Sequence, residues 1–330
     1  RPDRDGRGSR TQPRLLVVGL GEALFDCFPD RVILGGAPLN LAYHAHQLLA
    51  SHGGEGIVAS RVGDDPLGHN LRQEMAKRGL RDDFLQTDSR RATGEVRVTV
   101  SPSGEPSYEV VDNTAWDHLD YDTAFASLAK SCRAVCFGTL AQRNDVSRST
   151  IQRFALNATQ AIRLFDVNLR QNFFSSEVLE SSLRLATVAK LNEKELREVC
   201  ELLKITAQLD SIEECAYALR EVFALDAVLV TRGAQGTQLH RDGEVVEGEP
   251  PVYEPAAGAD SVGAGDACCA GIVVGMLCKM VPAAVIRLAN HAGAFVASQP
   301  GATPRLPAQI LAMVDGPGRS AATDSANSCP

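Results

Sequence analysis

Aromatic side chains are scarce: they make up 5% of the 330 residues, and Trp116 is the single tryptophan. The core must therefore rest on aliphatic packing, which an apolar content of 44% can supply. Basic residues are also in deficit, with 33 Lys and Arg against 41 Asp and Glu and a net charge of -8. No basic patch stands outside the first fourteen residues, so a nucleic-acid backbone would be repelled and no such partner is expected. Apolar runs break off well before membrane-spanning length, and no membrane partner is expected either. The nine cysteines include no CxxC and no Cys/His cluster with metal-ligand spacing. Scattered through apolar segments (Cys132, Cys136, Cys200, Cys215, Cys278), they read as free thiols in a reducing compartment, the cytoplasm. There is no GxxxxGK[ST], no GxGxxG after a strand and no GxSxG, so neither a Walker loop nor a dinucleotide fingerprint competes for the reading. No internal repeat occurs.

Present instead is a regular alternation. "LLVVG" (15–19) reads as a first strand and "LNLAYHAHQLLA" (39–50) as a helix after a glycine turn. "GIVASRVG" (56–63) is a second strand, followed by a helix that ends at Gly79. "AVCFG", "IRLFDVN", "ATVAKLN" and "AVLVTRG" are four buried strands, each preceded by an amphipathic helical segment. Such a chain folds as an α/β domain with a mostly parallel central sheet and helices on both faces. Two stretches break the rhythm: "TGEVRVTVSPSGEPSYEVV" (93–111) is a half-exposed hairpin, and "LFDCFPDRVIL" (24–34) is similarly extended. They are expected to form a small β-sheet lid, or else an ornamental edge. Residues 1–14 read as a disordered basic lead left by trimming or tagging, or as the remnant of a targeting segment. Residues 314–330 are too small and polar to fold, which leaves one domain over 15–313.

The stretch "DSVGAGDACCAG" (260–271) sets glycines and an acid at the mouth of a buried helix running to about Met280. Gly263, Ala264 and Gly265 occupy its first turn, where unpaired main-chain N–H groups and the helix dipole make an anion site. Asp266 beside them is poorly suited to binding phosphate and well suited to taking a proton from an attacking hydroxyl. The motif alone also fits an N-capping aspartate after a flexible loop.

"GGAPLNLAYHAHQLL", "VGDDPLG", "NEKE" and "DSVGAGDACCAG" stand in that order along the chain. In them the chain resembles the ribokinase-type (PfkB) carbohydrate kinases, most of all fructokinases, over residues 15–312. The resemblance implies a ribokinase-like fold and ATP-dependent phosphorylation of a sugar's primary hydroxyl, fructose to fructose 6-phosphate. A 2-keto-3-deoxygluconate kinase, another sugar kinase or a non-catalytic sugar-sensing relative are the alternatives, the last disfavoured by intact GAGD and NxxE sets. Asp266 is implied as general base, with Gly263, Ala264 and Gly265 as the anion hole. Asp26, Gly35, Gly36 and Asn40 are implied on the sugar, and Arg170 on the sugar or a phosphate. Asn192, Thr231, Gly233, Gly236 and Asn290 are implied on the nucleotide, with Gly263 and Gly265. Glu195 is implied to organise Mg²⁺ through water. A K⁺ ion is implied at Asp260, Val262, Val296, Gln299 and Gly301, unless Arg305 occupies its place and pairs with Asp260. The partners implied are ATP and a small sugar, with a homodimer formed through the lid. Trp116 either stacks under the sugar or packs in the interior. Cys268 stands where the family often has an aromatic residue.

Overall fold

A computed structural model describes residues 14–100 and 106–315. The basic lead up to residue 13, the tail beyond Asp315 and the tip of the 93–111 hairpin lie outside the described residues. Along the chain run β1 (Leu16–Leu20), β2 (Leu24–Cys27), β3 (Val32–Gly35), α1 (Ala37–Leu49), β4 (Glu55–Gly63), α2 (Pro66–Lys77) and β5 (Leu85–Asp88). Then follow β6 (Gly94–Val100), β7 (Pro106–Val110), α3 (Thr123–Ser131), β8 (Ala134–Gly138), α4 (Asp145–Asn157), β9 (Ile162–Asp166), α5 (Ser176–Leu185) and β10 (Val188–Asn192). The last part comprises α6 (Glu193–Leu202), α7 (Ile212–Phe223), β11 (Ala227–Thr231), β12 (Thr237–Arg241), β13 (Glu244–Gly248), α8 (Ala264–Leu277), α9 (Pro282–Ala297) and α10 (Ala308–Leu311).

Nine strands make the central sheet in the order β13-β12-β11-β10-β9-β8-β1-β4-β5. Seven are parallel, and β12 and β13 close one edge as an antiparallel meander. The core lies in two layers because successive strand residues face opposite ways. Val18, Val135, Phe165, Val228 and Val230 pack against α3 to α7. Val17, Cys136, Leu164 and Leu229 pack against α1, α8 and α9. Helix α8 is apolar all round and buried, sandwiched by α1 and α9.

The expected parallel sheet and the two extended stretches are found. Strands β5, β12 and β13 were not anticipated. Strands β5 and β13 are the sheet edges, with charged or polar residues in "LQTD" and "EVVEG", and β12 carries polar residues in "TQLHR" although it is buried, so all three lack the apolar signature of the central strands. Helix α1 starts at Ala37 rather than at 39, with Pro38 in its first turn, and α8 stops at Leu277 rather than Met280. A separate four-stranded sheet, β3-β2-β6-β7, is formed by exactly those two extended stretches. It stands at the carboxyl ends of the parallel strands, where open α/β sheets bind ligands.

Candidate active site

Asp26, Gly35, Gly36 and Asn40 meet where the small sheet joins α1. Asp26 on β2 pairs with Ile33 on β3, and a Cβ placed at Gly35 would lie 3.1 Å from the Asp26 carboxylate. Gly36 has φ of +105°, and a Cβ there would come within 2.5 Å of the Glu22 carbonyl oxygen, so only glycine closes this turn. The Gly36 carbonyl accepts the Asn40 N–H at 2.9 Å. Asn40 is buried in the first turns of α1, and its Nδ2 donates to Asp266 Oδ2 at 2.8 Å. Burial, and then the charge of Asp260, lift the Asp26 pKa to about 6.

Gly263 caps α8 with φ of 78° and no side-chain cap; the Ala264 N–H donates to the Ser261 carbonyl at 3.3 Å, and the Gly265 and Asp266 N–H groups after it are left open. A Cβ at Gly263 would meet the main chain of Ala302 at 2.7 Å, which fixes glycine here. Asp266 follows in the same turn. Burial and the charge of Asp166 raise its pKa to about 6, against the Asn40 hydrogen bond and the charges of Lys190 and Arg170. Lys190 is buried on β10 and its Nζ lies 3.1 Å from Asp166 Oδ1. Burial disfavours this ammonium, but Asp166 outweighs it and holds the Lys190 pKa well above its ordinary value. A Cβ at Gly265 would lie 3.3 Å from Lys190 Nζ, so the cation stands directly behind the open N-terminus of α8. Arg170, in the loop after β9, is exposed. Its neighbours Asn168 and Gln171 hold positive φ of 37° and 47°.

On the other side of α8 opens a cavity of about 560 Å³ lined by Thr231, Gly236, Tyr253, Gly265, Cys268 and Asn290 among others. Gly233 and Ala264 also line it. Asn290 on α9 donates to the Gly248 carbonyl at 2.6 Å. Beyond Thr231 and Gly233 the cavity continues as an open shelf lined by Asn192, Lys194, Arg197 and Arg232. Asn192 and Glu195 form a reciprocal cap on α6, with Asn192 Oδ1 accepting the Glu195 N–H and Glu195 Oε2 accepting the Asn192 N–H. The other Glu195 oxygen accepts the Leu169 N–H at 3.1 Å, which ties the Arg170 loop to α6.

Asp260 accepts main-chain N–H groups from Val262 and Gly301, and its own N–H donates to the Gln299 carbonyl. The Val296 carbonyl accepts from the Gln299 N–H. These residues therefore share one knot behind the α8 N-terminus. Arg305 is exposed and its charge acts on Tyr43; Asp260 is satisfied by main-chain groups. Trp116 is fully buried under Gly94, with the Arg143 guanidinium 4.1 Å from its ring, so it packs rather than offering a face to a sugar. Three site residues escaped the sequence reading: Glu22, Asp166 and Lys190. The signal was an ionisable residue inside otherwise buried segments, "GLGEALFD", "IRLFDVN" and "ATVAKLN".

The family model described as pfkB family carbohydrate kinase matches residues 26–309. A fructokinase of Escherichia coli is 30% identical over 315 residues, covering 87% of this chain and 95% of the relative. Among solved structures, fructokinase from Vibrio cholerae O395 in fructose, ADP and calcium ion bound form superposes with a TM-score of 0.73 at 24% identity, over 92% of this chain and 99% of that one. Aminoimidazole riboside kinase from Salmonella enterica, complexed with aminoimidazole riboside and an ATP analog, gives a TM-score of 0.72 at 23% identity, over 91% and 100%. The fold is thus common to kinases of different sugars, and the family match together with the E. coli relative decides the class: this chain belongs to the pfkB family carbohydrate kinases and is a fructokinase-like sugar kinase.

Proposed function

We propose that the enzyme transfers the γ-phosphoryl group of ATP to the primary hydroxyl of D-fructose, with Asp266 as general base. The observation that carries this reading is the 2.8 Å hydrogen bond from Asn40 to Asp266. It joins the clasp formed by Asp26, Gly35 and Gly36 to the open N-terminus of α8, so one carboxylate serves both the acceptor and the phosphoryl group. Asp26 and Asn40 hold sugar hydroxyls on one side of Asp266. ATP fills the 560 Å³ cavity, its base near Asn290 and its phosphates passing Thr231, Gly233 and Gly236 toward Asn192. Main-chain N–H groups of the Gly263–Gly265 turn receive the charge that develops on the transferred group, and Lys190 and Arg170 add positive potential there. Asp266 accepts the hydroxyl proton as the oxygen attacks. The alignment of the two substrates across a buried, preorganised turn supplies the rest.

Among the described residues no group of three or more His, Cys, Asp or Glu could hold a metal ion by itself. Mg²⁺ retains waters and binds mainly through substrate phosphates. Asn192 and Glu195 would meet it through water, each Glu195 oxygen keeping one lone pair beyond its main-chain contact. When bound, the ion neutralises phosphate charge. A K⁺ ion would sit in the knot of Asp260, Val262, Val296, Gln299 and Gly301, where it would stiffen the turn leading into α8. The edge strands of the small sheet carry exposed Val32 and Tyr108, a surface for homodimer formation through the lid. The free thiols Cys27, Cys132, Cys136, Cys200, Cys215, Cys268 and Cys269 fit a reducing compartment, the cytoplasm. No described helix is long and apolar enough to cross a membrane.

The test is an ADP-release assay over a panel of hexoses, pentoses, ribosides and 2-keto-3-deoxygluconate. Fructose should give the highest kcat/KM. A higher value for another sugar would replace fructose as substrate, and no sugar-stimulated ADP release would overturn the kinase assignment.

A further inference from the structure

Glu22 lies in the link between β1 and β2, and it is 3% exposed. The main-chain N–H groups of its own residue and of Ala37, the first residue of α1, face its carboxyl and favour the charged form. Its second oxygen, Oε2, is buried without a hydrogen-bond partner. The residue borders a cavity of about 10 Å³, the space of one water, which is also lined by Pro38, Cys136, Thr139, Asp166 and Asn168. An unpartnered carboxylate oxygen so deeply buried costs several kcal/mol in general, and a neutral acid bonded to a water removes most of that cost.

The charges around it point the same way. Asp266 on α8 and Asp166 on β9 both act on Glu22. Lys190 on β10 is already paired with Asp166, and the Cys136 thiol on β8 is pushed far up by burial and stays neutral. The charge of Arg170 acts on Asp266. Burial first, and then the two aspartates, lift the Glu22 pKa to about 8, against its main-chain hydrogen bonds.

We propose that Glu22 is a neutral positioning residue of the phosphoryl-transfer site: its Oε2–H donates to one water in this cavity, while its other oxygen holds the N-terminus of α1. That hold sets the helix from which Asn40 reaches Asp266. Ionisation of Glu22 would add a third carboxylate charge beside Asp266 and Asp166, with Lys190 as their only buried counter-ion among the described residues, and as the solution becomes alkaline that charge would oppose the negative phosphoryl group at the N-terminus of α8. The proposal rests on Asp266 being the base.

The experiment compares the parent with Glu22→Gln and Glu22→Leu. Glutamine supplies both an acceptor for the Ala37 N–H and a donor for the water; leucine supplies neither at similar volume. The parent should lose kcat with fructose as pH rises through about 8. Glu22→Gln should lack that alkaline loss and keep kcat at pH 7 within about threefold, whereas Glu22→Leu should fall about tenfold or more, the worth of one lost buried hydrogen bond of this kind. An alkaline loss that persists unshifted in Glu22→Gln would overturn the proposal, as would Leu matching Gln in activity. A second reading needs no turnover, and it also serves if the leucine variant fails to fold. The infrared carbonyl stretch of a protonated carboxylic acid should be present at pH 7 in the parent and lost in Glu22→Gln. Its absence from the parent refutes the proposal. Its presence in a protein that phosphorylates no sugar would instead refute the functional reading and leave Glu22 neutral.

Discussion

Replacing Asn40 with alanine should move the acid limb of the rate profile, and the structure gives the size of the shift. Asn40 Nδ2 donates to Asp266 Oδ2 at 2.8 Å and so favours the charged carboxylate. A hydrogen bond to a charged group is worth about 1.5–3 kcal/mol. At about 1.4 kcal/mol per pKa unit, its loss raises the Asp266 pKa by about one to two units. Starting from about 6, the base would then titrate between about 7 and 8. At pH 7 the parent base is about nine-tenths ionised, and the variant base between about a half and a tenth, so kcat should fall about twofold to tenfold. The assay is kcat at saturating fructose from pH 5 to pH 8, because Asn40 is also proposed to hold the sugar, so that KM should change. The acid midpoint should rise in Asn40→Ala. A uniform loss of kcat at every pH, with the midpoint unmoved, would refute the claim that Asn40 tunes the base.

Asp26→Ala should raise the KM for fructose about tenfold or more while the KM for ATP changes less than about twofold, because sugar hydroxyls lose their acceptor in a closed site; the reverse pattern in steady-state kinetics would move the sugar pocket elsewhere. Lys190→Met strands Asp166 in the interior and should cost about 3–5 kcal/mol in denaturant unfolding, with Asp166→Asn added to it restoring part of the loss; a single variant within about 1 kcal/mol of the parent would show the pair to be structurally idle. Exchanging K⁺ for tetramethylammonium at constant ionic strength should lower kcat, since the ion would stiffen the turn that aims α8. Indifference to the exchange would remove the cation from the Asp260 knot.

Glycine requirements carried much of the site's legibility. Gly36 and Gly263 adopt backbone conformations that other residues resist, and each packs against a neighbouring main chain, so their spacing is a physical imprint visible in sequence. The strands that bear the central sheet were equally visible, being short, β-branched and continuous in apolar character. The antiparallel strands were not, because β13 exposes charged side chains, β12 buries polar ones such as Gln238 and His240, and both owe their form to the neighbour they pair with. Asn40 and Asp266 were each recognisable, yet their hydrogen bond joins residues 226 apart and exists only once α1 packs on α8. The charged cluster behind the base was hidden for the same reason. Glu22, Asp166 and Lys190 come from three different segments, and although each stands inside an apolar run, nothing local shows that the three meet.

The central claim is that Asp266 removes the proton from the sugar hydroxyl. It is tested most directly by the kcat of Asp266→Asn with saturating fructose and Mg-ATP, alongside calorimetric binding of ATP. The account predicts a loss in kcat of at least about a hundredfold, with ATP affinity within about threefold of the parent, because a positioned base contributes that much and the nucleotide cavity is untouched. Turnover within about threefold of the parent would contradict it and remove Asp266 from the role of base.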